Sequence, residues 1–261
     1  MRFPKKSLGQ NFLIDKNIIK KIVKLACLKN RNIVEIGPGK GALTSQILNE
    51  KPKSLILIEK DNHLAEELKA KFFRNKIIKI YNSDIINFDL EKVMSKNSIV
   101  FGNLPYNISS QILVKMIKFK NWKPKYNDLI FMFQREMGYR ILGKYKTKNY
   151  GRLSILSKYR LDILNKFFVS PNCFFPKPKV ISMVIHFKPK VQKNFKIENI
   201  KNLEKITNIF FSNKRKMVNK TFKKLSNKFD INEVKDLNLK SRPSDLKPEI
   251  FYRITELFEN S

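Results

Sequence analysis

Cysteine and histidine are scarce in this chain of 261 residues, which contains only two of each. Cys27 and Cys173 are far apart and neither belongs to a Cys-x-x-Cys pair, while His63 and His186 are isolated. Structural zinc sites and disulfide frameworks need several such residues at close, regular spacing. The sequence therefore predicts no metal site and no disulfide-stabilised fold.

Long apolar runs are also missing. No stretch approaches the ~20 consecutive apolar residues that cross a bilayer as a helix. The basic start, Met1-Arg2-Phe3-Pro4-Lys5-Lys6, is not followed by an apolar segment of signal-peptide length. We therefore expect no membrane association and a soluble protein in the reducing cytoplasm.

Acidic residues are few: 22 stand against 54 basic ones, for a formal net charge of +32. An excess of this size indicates a polyanionic partner, for which nucleic acid is the natural candidate. Biased codon usage, which would also raise Lys, Asn, Ile and Phe, accounts for part of it. The densest stretch, residues 135–160, contains Glu136 as its one acid. It is either a phosphate-contacting surface or a solvated helix and loop.

Short apolar runs alternate with helical patterns through the first two thirds of the chain, after a first helix that Asp15 is placed to cap. Such alternation predicts an α/β fold with a mostly parallel sheet covered on both faces. Two later apolar runs, at 167–169 and 180–187, predict an antiparallel pair at one sheet edge. The runs in the parallel part are 33–36, 55–58, 77–81, 99–101 and 129–133.

The pattern becomes entirely helical beyond Pro189. We therefore place a domain boundary within residues 188–193. It divides the chain into an α/β domain at 1–188 and a small all-α domain at 189–261.

Glycine is another scarce residue, yet three of the eight glycines lie together at Gly37, Gly39 and Gly41, directly after a predicted strand and before a helix. Glycines at this position let the backbone approach a ligand at a helix N-terminus. The spacing differs from that of the G-x-G-x-x-G dinucleotide motif. A tight turn without a ligand explains the loop equally well.

Polar residues follow the next three predicted strands, as Glu59, Asp84 and Asn103. Glu59 lies close to the ~20-residue offset at which an acid meets ribose hydroxyls in comparable folds. Each residue alone could be a cap or a turn residue. Together they predict a ligand site at the carboxyl edge of the sheet. Because the chain has no Gly-x-x-x-x-Gly-Lys-Ser/Thr loop, an adenosine-bearing cofactor without phosphate requirements fits best.

The tetrapeptide Asn103-Leu104-Pro105-Tyr106 indicates the reaction. The exocyclic nitrogen of adenine shares its lone pair with the ring, so it must be drawn toward fixed acceptors before it attacks a methyl donor. The amide oxygen of Asn103 and the main-chain carbonyl of Leu104 are candidate acceptors, and Tyr106 offers a face for an extruded base. N-methylation of a nucleobase is the leading hypothesis, and a turn shaped by Pro105 is the alternative.

Motifs along nearly the whole chain resemble those of the ribosomal RNA adenine N6-dimethyltransferase family, of the KsgA (RsmA) type. The matching pieces are Gln10-Asn11-Phe12-Leu13, residues 35–41, Glu59, Asp84, residues 103–107, 150–154 and 174–180, and Lys214-Arg215-Lys216. The resemblance implies a Rossmann-like S-adenosylmethionine-dependent methyltransferase sheet. It also implies that the helical domain contacts RNA or the ribosome.

The same resemblance assigns the site residues. Tyr106 and Phe174 would hold the target adenine between them, with Phe175 as the alternative if the register is shifted by one. Asn103 and Leu104 would align the amine. The S-adenosylmethionine site would be lined by Asn11, Leu13, Gly37, Gly39, Glu59, Asp84, Ile85 and Asn103.

The implied substrate is a pair of adjacent adenosines in a hairpin loop near the 3′ end of small-subunit ribosomal RNA, presented to a monomeric enzyme on the assembling 30S particle. Two residues depart from the family pattern: Ile181 replaces an Asp, and Lys214 replaces an Arg and loses its bidentate fork. Two alternatives stay open. One is a large-subunit adenine methyltransferase of the antibiotic-resistance type, and the other is an assembly factor or nucleic-acid binder with secondary or lost methylation.

Overall fold

The computed structural model describes residues 10–190, 194–223 and 229–261. The basic N-terminal hexapeptide and part of the predicted boundary at 188–193 lie outside these ranges. The strands are β1 (Phe12–Leu13), β2 (Asn32–Ile36), β3 (Ser54–Glu59), β4 (Ile78–Asn82), β5 (Ser98–Asn103), β6 (Tyr126–Gln134), β7 (Leu161–Val169), β8 (Phe174–Phe175) and β9 (Ser182–Pro189).

Ten α-helices lie within the described ranges. They are α1 (Lys16–Val23), α2 (Ala42–Asn49), α3 (Asn62–Phe72), α4 (Leu90–Val93), α5 (Ser109–Ile117), α6 (Arg135–Leu142), α7 (Arg152–Arg160), α8 (Ile200–Phe211), α9 (Asn219–Lys223) and α10 (Pro248–Glu259). In the described part of the chain, no helix combines the length and the apolar character needed to cross a membrane.

Seven strands form the main sheet in the order β4-β3-β2-β5-β6-β9-β7. The first five are parallel, and β9 runs antiparallel to β6. The predicted fold class, a mostly parallel sheet with an antiparallel edge, is confirmed. Strand β7 begins six residues before the predicted run at 167–169. The apolar pattern did not reveal this first part, because exposed polar residues such as Asp162 and Lys166 interrupt it.

The central strands β2, β3 and β5 read as nearly continuous apolar runs because both of their faces are buried. Ile33, Leu55 and Val100 are each fully buried. Their register aligns the carboxyl ends: Ile36 pairs with Ile58 on one side and with Gly102 on the other. Residues that follow these strands are therefore brought to one edge of the sheet.

Helix α1 begins at the predicted cap, since both Asn17 N and Ile18 N donate hydrogen bonds of 2.9 Å to Asp15 Oδ1. Substituting such a cap by Ala typically costs about 1 kcal/mol. The helix ends at Val23, earlier than the apolar pattern suggests, because the chain turns there and carries Leu28 separately into the core.

A two-stranded sheet, which the sequence did not predict, joins β1 to β8 in antiparallel pairing. Leu13 pairs with Phe174, and Phe12 pairs with Phe175. The two phenylalanines differ in burial. Phe174 is 3% exposed and packs in the main hydrophobic cluster, whereas Phe175 is 53% exposed.

The chain divides into two compact units. The first comprises Met1–Gly138 and Ile163–Pro189, and the second comprises Tyr139–Asp162 and Lys190–Ser261. The division at 189/190 falls within the predicted boundary region. The segment Tyr139–Asp162, however, belongs to the second unit and not, as expected, to the first.

Packing of α7 explains this difference. The Tyr252 hydroxyl of α10 donates a 3.1 Å hydrogen bond to the Ile155 carbonyl of α7. The Tyr150 ring lies 6.1 Å from the Phe211 ring at the end of α8. These contacts pair residues more than 60 positions apart in the sequence, so local periodicity could not reveal them.

The opposite burial of the paired phenylalanines gives a stability test. Phe174→Ala should lower the free energy of unfolding by about 3–5 kcal/mol, because it leaves a cavity in a packed core. Phe175→Ala, the matched control, should change it by no more than about 0.5 kcal/mol. Urea denaturation of both variants measures the difference. Equal losses for the two variants would contradict the assigned burial.

Candidate active site

A cavity of about 410 Å³ opens at the carboxyl ends of the central strands. Its volume lies within the range of small-molecule sites. Ten predicted site residues line it: Asn11, Leu13, Gly37, Gly39, Glu59, Asp84, Ile85, Asn103, Leu104 and Tyr106. Phe174 is not part of the lining and belongs to the buried core cluster. Its role beside the target base stays a prediction.

The glycine loop after β2 has a backbone that other residues rarely adopt. Gly37, Gly39 and Gly41 all have positive φ angles, of 68°, 59° and 74°. At Gly39 an added Cβ would also come within 2.9 Å of the Phe12 ring. Gly39 N donates a 3.0 Å hydrogen bond to Glu59 Oε2, which fixes the loop to the end of β3. Glycine is therefore required here by both conformation and space.

Two carboxyl groups are buried beneath this loop. Burial raises the pKa of Glu59, although Gly39 N and Asp61 N both donate hydrogen bonds to it. Burial likewise raises the pKa of Glu35 to about 7, against the opposing effect of a 2.7 Å hydrogen bond from Thr44 Oγ1. The sequence did not identify Glu35 as a site residue, although it is the one acidic residue within the apolar run of β2.

Asp84 has the opposite electrostatic character. Its Oδ2 lies 2.7 Å from Lys60 Nζ, and its Oδ1 accepts a 2.9 Å hydrogen bond from Ile86 N. The Lys60 ammonium, followed by the Ile86 amide, lowers the pKa of Asp84. Asp84 is therefore an ionised acceptor at the cavity wall. Lys60, which the sequence did not single out, orients its carboxylate.

Asn103 ends β5 with its amide group in a fixed orientation. Its Nδ2 donates a 2.9 Å hydrogen bond to the main-chain carbonyl of Asn11. Because the amide nitrogen is used in this bond, Oδ1 is the atom of the Asn103 side chain that can accept a hydrogen bond from a ligand. The next residue, Leu104, is buried, and Pro105 carbonyl accepts from Ile108 N as α5 approaches.

Tyr106 is held through its hydroxyl group. The Tyr106 Oη and the Ser182 Oγ are 2.7 Å apart, which connects the motif to the start of β9. Burial raises the pKa of Tyr106, so the phenol stays protonated at neutral pH. Ser182 follows Ile181, the position that departs from the family pattern. Ile181 instead uses its carbonyl to accept a hydrogen bond from Arg135 N.

The carboxyl edge of the parallel strands combines a glycine loop after β2, an acid at the end of β3, an acid after β4 and an Asn-Leu-Pro-Tyr turn. This combination defines a Rossmann-like methyltransferase site. The model of the ribosomal RNA adenine dimethylase family matches residues 2–260, and the chain belongs to this family. The resemblance inferred from the motifs is thereby confirmed. The class of enzyme is an S-adenosylmethionine-dependent ribosomal RNA adenine methyltransferase, as predicted.

Individual proteins agree with this assignment. A relative from Pelagibacter ubique (strain HTCC1062), named ribosomal RNA small subunit methyltransferase A, is 44% identical over 98% of this chain and 97% of its own. The crystal structure of a dimethyladenosine transferase from Plasmodium falciparum is 25% identical, with a TM-score of 0.75 over 93% of this chain and 95% of that one.

The 23S rRNA methyltransferase ErmE has a similar fold. Its crystal structure gives a TM-score of 0.68 over 95% of this chain and all of its own, at 21% identity. This likeness concerns the fold alone.

The buried carboxyl of Glu35 predicts a pH dependence of stability. Its folded-state pKa of about 7 lies above the ordinary 4.5. Between these values the folded chain binds a proton that the unfolded chain does not, so this group makes stability fall as pH rises. Glu35→Gln removes the titration and keeps an acceptor for Thr44. Well above pH 7 the variant should exceed the parent in stability by about 3 kcal/mol, since each pKa unit corresponds to ~1.4 kcal/mol.

Urea unfolding at a series of pH values measures this effect, with the exposed Glu66→Gln as the matched control. The advantage of Glu35→Gln should vanish at acid pH, where the parent carboxyl is protonated in both states. A pH-independent difference between parent and variant would show that Glu35 does not carry the raised pKa.

Proposed function

We propose that this protein transfers methyl groups from S-adenosylmethionine to N6 of two adjacent adenosines in a hairpin loop near the 3′ end of small-subunit ribosomal RNA. It acts as a cytoplasmic monomer on the assembling 30S particle. The observation that carries the proposal is the convergence of Glu59, Asp84, Asn103 and Tyr106 on one cavity.

The cavity fits the cofactor in size and in chemistry. Asp84 is an ionised acceptor suited to the amino group of adenine, and Glu59 is placed for the ribose hydroxyls at the offset expected in such folds. Glu35 and Glu59 add acidic character that favours a cationic ligand. When bound, S-adenosylmethionine supplies an electrophilic methyl group attached to a sulfonium.

The chain itself contributes alignment of the attacking amine. Asn103 Oδ1 and the Leu104 carbonyl accept hydrogen bonds from the two N6 hydrogens, which draws the nitrogen lone pair out of conjugation with the ring. The hydrogen bond from Asn103 Nδ2 to Asn11 preorganises this acceptor before substrate arrives. Rate acceleration then comes mainly from holding N6 within ~3–3.5 Å of the methyl carbon. The proton that N6 loses as the bond forms passes to water.

Tyr106 supplies a face on which the extruded adenine stacks. Its hydroxyl bond to Ser182 restrains the ring, so less rotational freedom is lost when the base arrives. Loop adenosines suit this mechanism because they are partly unpaired and cost little to extrude. The second stacking face is assigned to Phe174, which is 3% exposed, with the exposed Phe175 as the alternative.

The small-subunit substrate is supported by the relative from Pelagibacter ubique, whose name specifies that subunit. We extend the proposal to the second unit, whose helices carry the exposed Lys214-Arg215-Lys216 turn after α8. We infer that these cations contact the phosphates of ribosomal RNA.

Incorporation of tritiated methyl groups into immature small subunits, large subunits and naked RNA tests the substrate. We expect incorporation into small subunits, recovered as N6,N6-dimethyladenosine after digestion. Incorporation confined to large subunits would replace the proposal with the antibiotic-resistance type of activity. Tight binding to particles without incorporation would identify an assembly factor.

Asn103→Ala tests the mechanism. It removes the preorganised acceptor, so turnover on small subunits should fall by roughly 100-fold or more, while affinity for the RNA stays unchanged. Asn121→Ala, in the exposed loop between α5 and β6, is the control and should behave like the parent. Near-normal methylation by Asn103→Ala would remove the proposed role of this residue.

A further inference from the structure

One of the acid-free stretches of the second unit includes α7 and the residues before it. From residue 139 to residue 161 the sequence contains no Asp or Glu. Within it, residues 144–148, Lys144-Tyr145-Lys146-Thr147-Lys148, are all exposed. We call these five residues the basic loop. They lie between α6 and α7.

Hydrogen bonds hold the basic loop in a defined shape. Lys146 N donates a 2.8 Å hydrogen bond to the Ser244 carbonyl, and Thr147 Oγ1 donates one of 2.6 Å to the Lys144 carbonyl. Lys158 Nζ, from α7, donates a 2.8 Å hydrogen bond to the Gly143 carbonyl just before the loop. The lysines of the loop are thus presented on an ordered backbone, which lowers the entropy lost when they bind a partner.

Tyr145 gives the basic loop a second kind of contact. Tyr145 is 39% exposed, so part of its ring surface is open to a ligand. Lys146 Nζ lies 5.9 Å from its ring centroid. An exposed aromatic ring flanked by cations is the combination that binds single-stranded nucleic acid, because the ring stacks on a base while the cations contact phosphates.

The surroundings of the basic loop are balanced in charge. Tyr145 and Lys146 border a cavity of about 530 Å³ within the second unit, whose wall contains four acidic and four basic residues, Lys146 among them. Lys144 and Lys148 are not part of this wall. They add positive charge to this surface beyond the balanced wall of the cavity.

We propose that the basic loop binds an unpaired stretch of the RNA substrate, with its lysines on phosphates and Tyr145 stacked on a base. This inference rests on the proposed function and adds a second RNA contact to it. The partner is a single strand and not a duplex, since a stacked base must leave its pair to reach the tyrosine.

Binding of a fluorescently labelled small-subunit RNA fragment, followed by anisotropy over a series of salt concentrations, tests the proposal. In the full chain, Lys144→Gln, Lys146→Gln and Lys148→Gln together should reduce the slope of log K against log salt by about 2, since each phosphate contact on a single strand contributes ~0.7. Affinity for S-adenosylmethionine and the melting temperature should not change.

The chain offers a matched control. Lys51, Lys53 and Lys76 are exposed lysines before β3 and β4, at the amino edge of the sheet and so opposite the cavity. Changing them to Gln removes the same charge. Each triple also contains one lysine with a left-handed backbone, Lys146 at φ 65° and Lys51 at φ 53°. The control triple should retain the parent's salt slope.

Tyr145 separates stacking from charge. Tyr145→Ala should weaken binding by about 5- to 150-fold without changing the salt slope, and Tyr145→Phe should bind like the parent. An unlabelled single strand should compete better than a duplex of the same sequence.

Equal slopes for the two lysine triples, or better competition by the duplex, would overturn the inference. If the parent chain still binds and methylates RNA, either result leaves the proposed function intact. A parent chain that binds no RNA would instead refute the proposed function itself.

Discussion

The parallel register of β2, β3 and β5 is the constraint on which the rest of this structure depends. Ile36 pairs with both Ile58 and Gly102, so three strands end at the same level. Parallel strands buried on both faces hold this alignment through the hydrophobic core rather than through any single contact. Gly37, Glu59 and Asn103 owe their positions at the cavity to this alignment, because they stand at the carboxyl ends of these three strands.

The acidic residues of the cavity differ in the direction of their pKa shifts. Glu35 and Glu59 are buried acids with raised pKa values, whereas Asp84 is kept ionised by Lys60. In the proposed complex, a cationic ligand stabilises the ionised form of both buried carboxyls, and Asp84 is ready as an acceptor beforehand. In the proposed mechanism the attacking amine is aligned by a neutral group, the Asn103 amide, whose orientation is fixed by Asn11. Catalysis then depends on alignment of the amine and not on a strong acid or base.

Sequence patterns predicted what depends on local signals. Alternating apolar runs identified the sheet, and residues that end strands, such as Gly37, Glu59 and Asn103, were all placed at the cavity. The contacts that the sequence did not predict join different elements of the fold. Thr44 to Glu35, Lys60 to Asp84 and Tyr106 to Ser182 depend on how elements pack against each other, which periodicity does not encode. The different burial of Phe174 and Phe175 could not be predicted for a related reason. Both neighbours are aromatic, and only the pairing of β1 with β8 decides which one is buried.

A crystal structure of the protein with S-adenosylhomocysteine, the product form of the cofactor, tests the central claim most directly. We expect the adenine amino group within hydrogen-bond distance of Asp84, the ribose hydroxyls in contact with Glu59, and the sulfur facing Asn103 and Tyr106. A ligand bound elsewhere, or one that lies in the cavity with its sulfur directed away from Asn103, would contradict it.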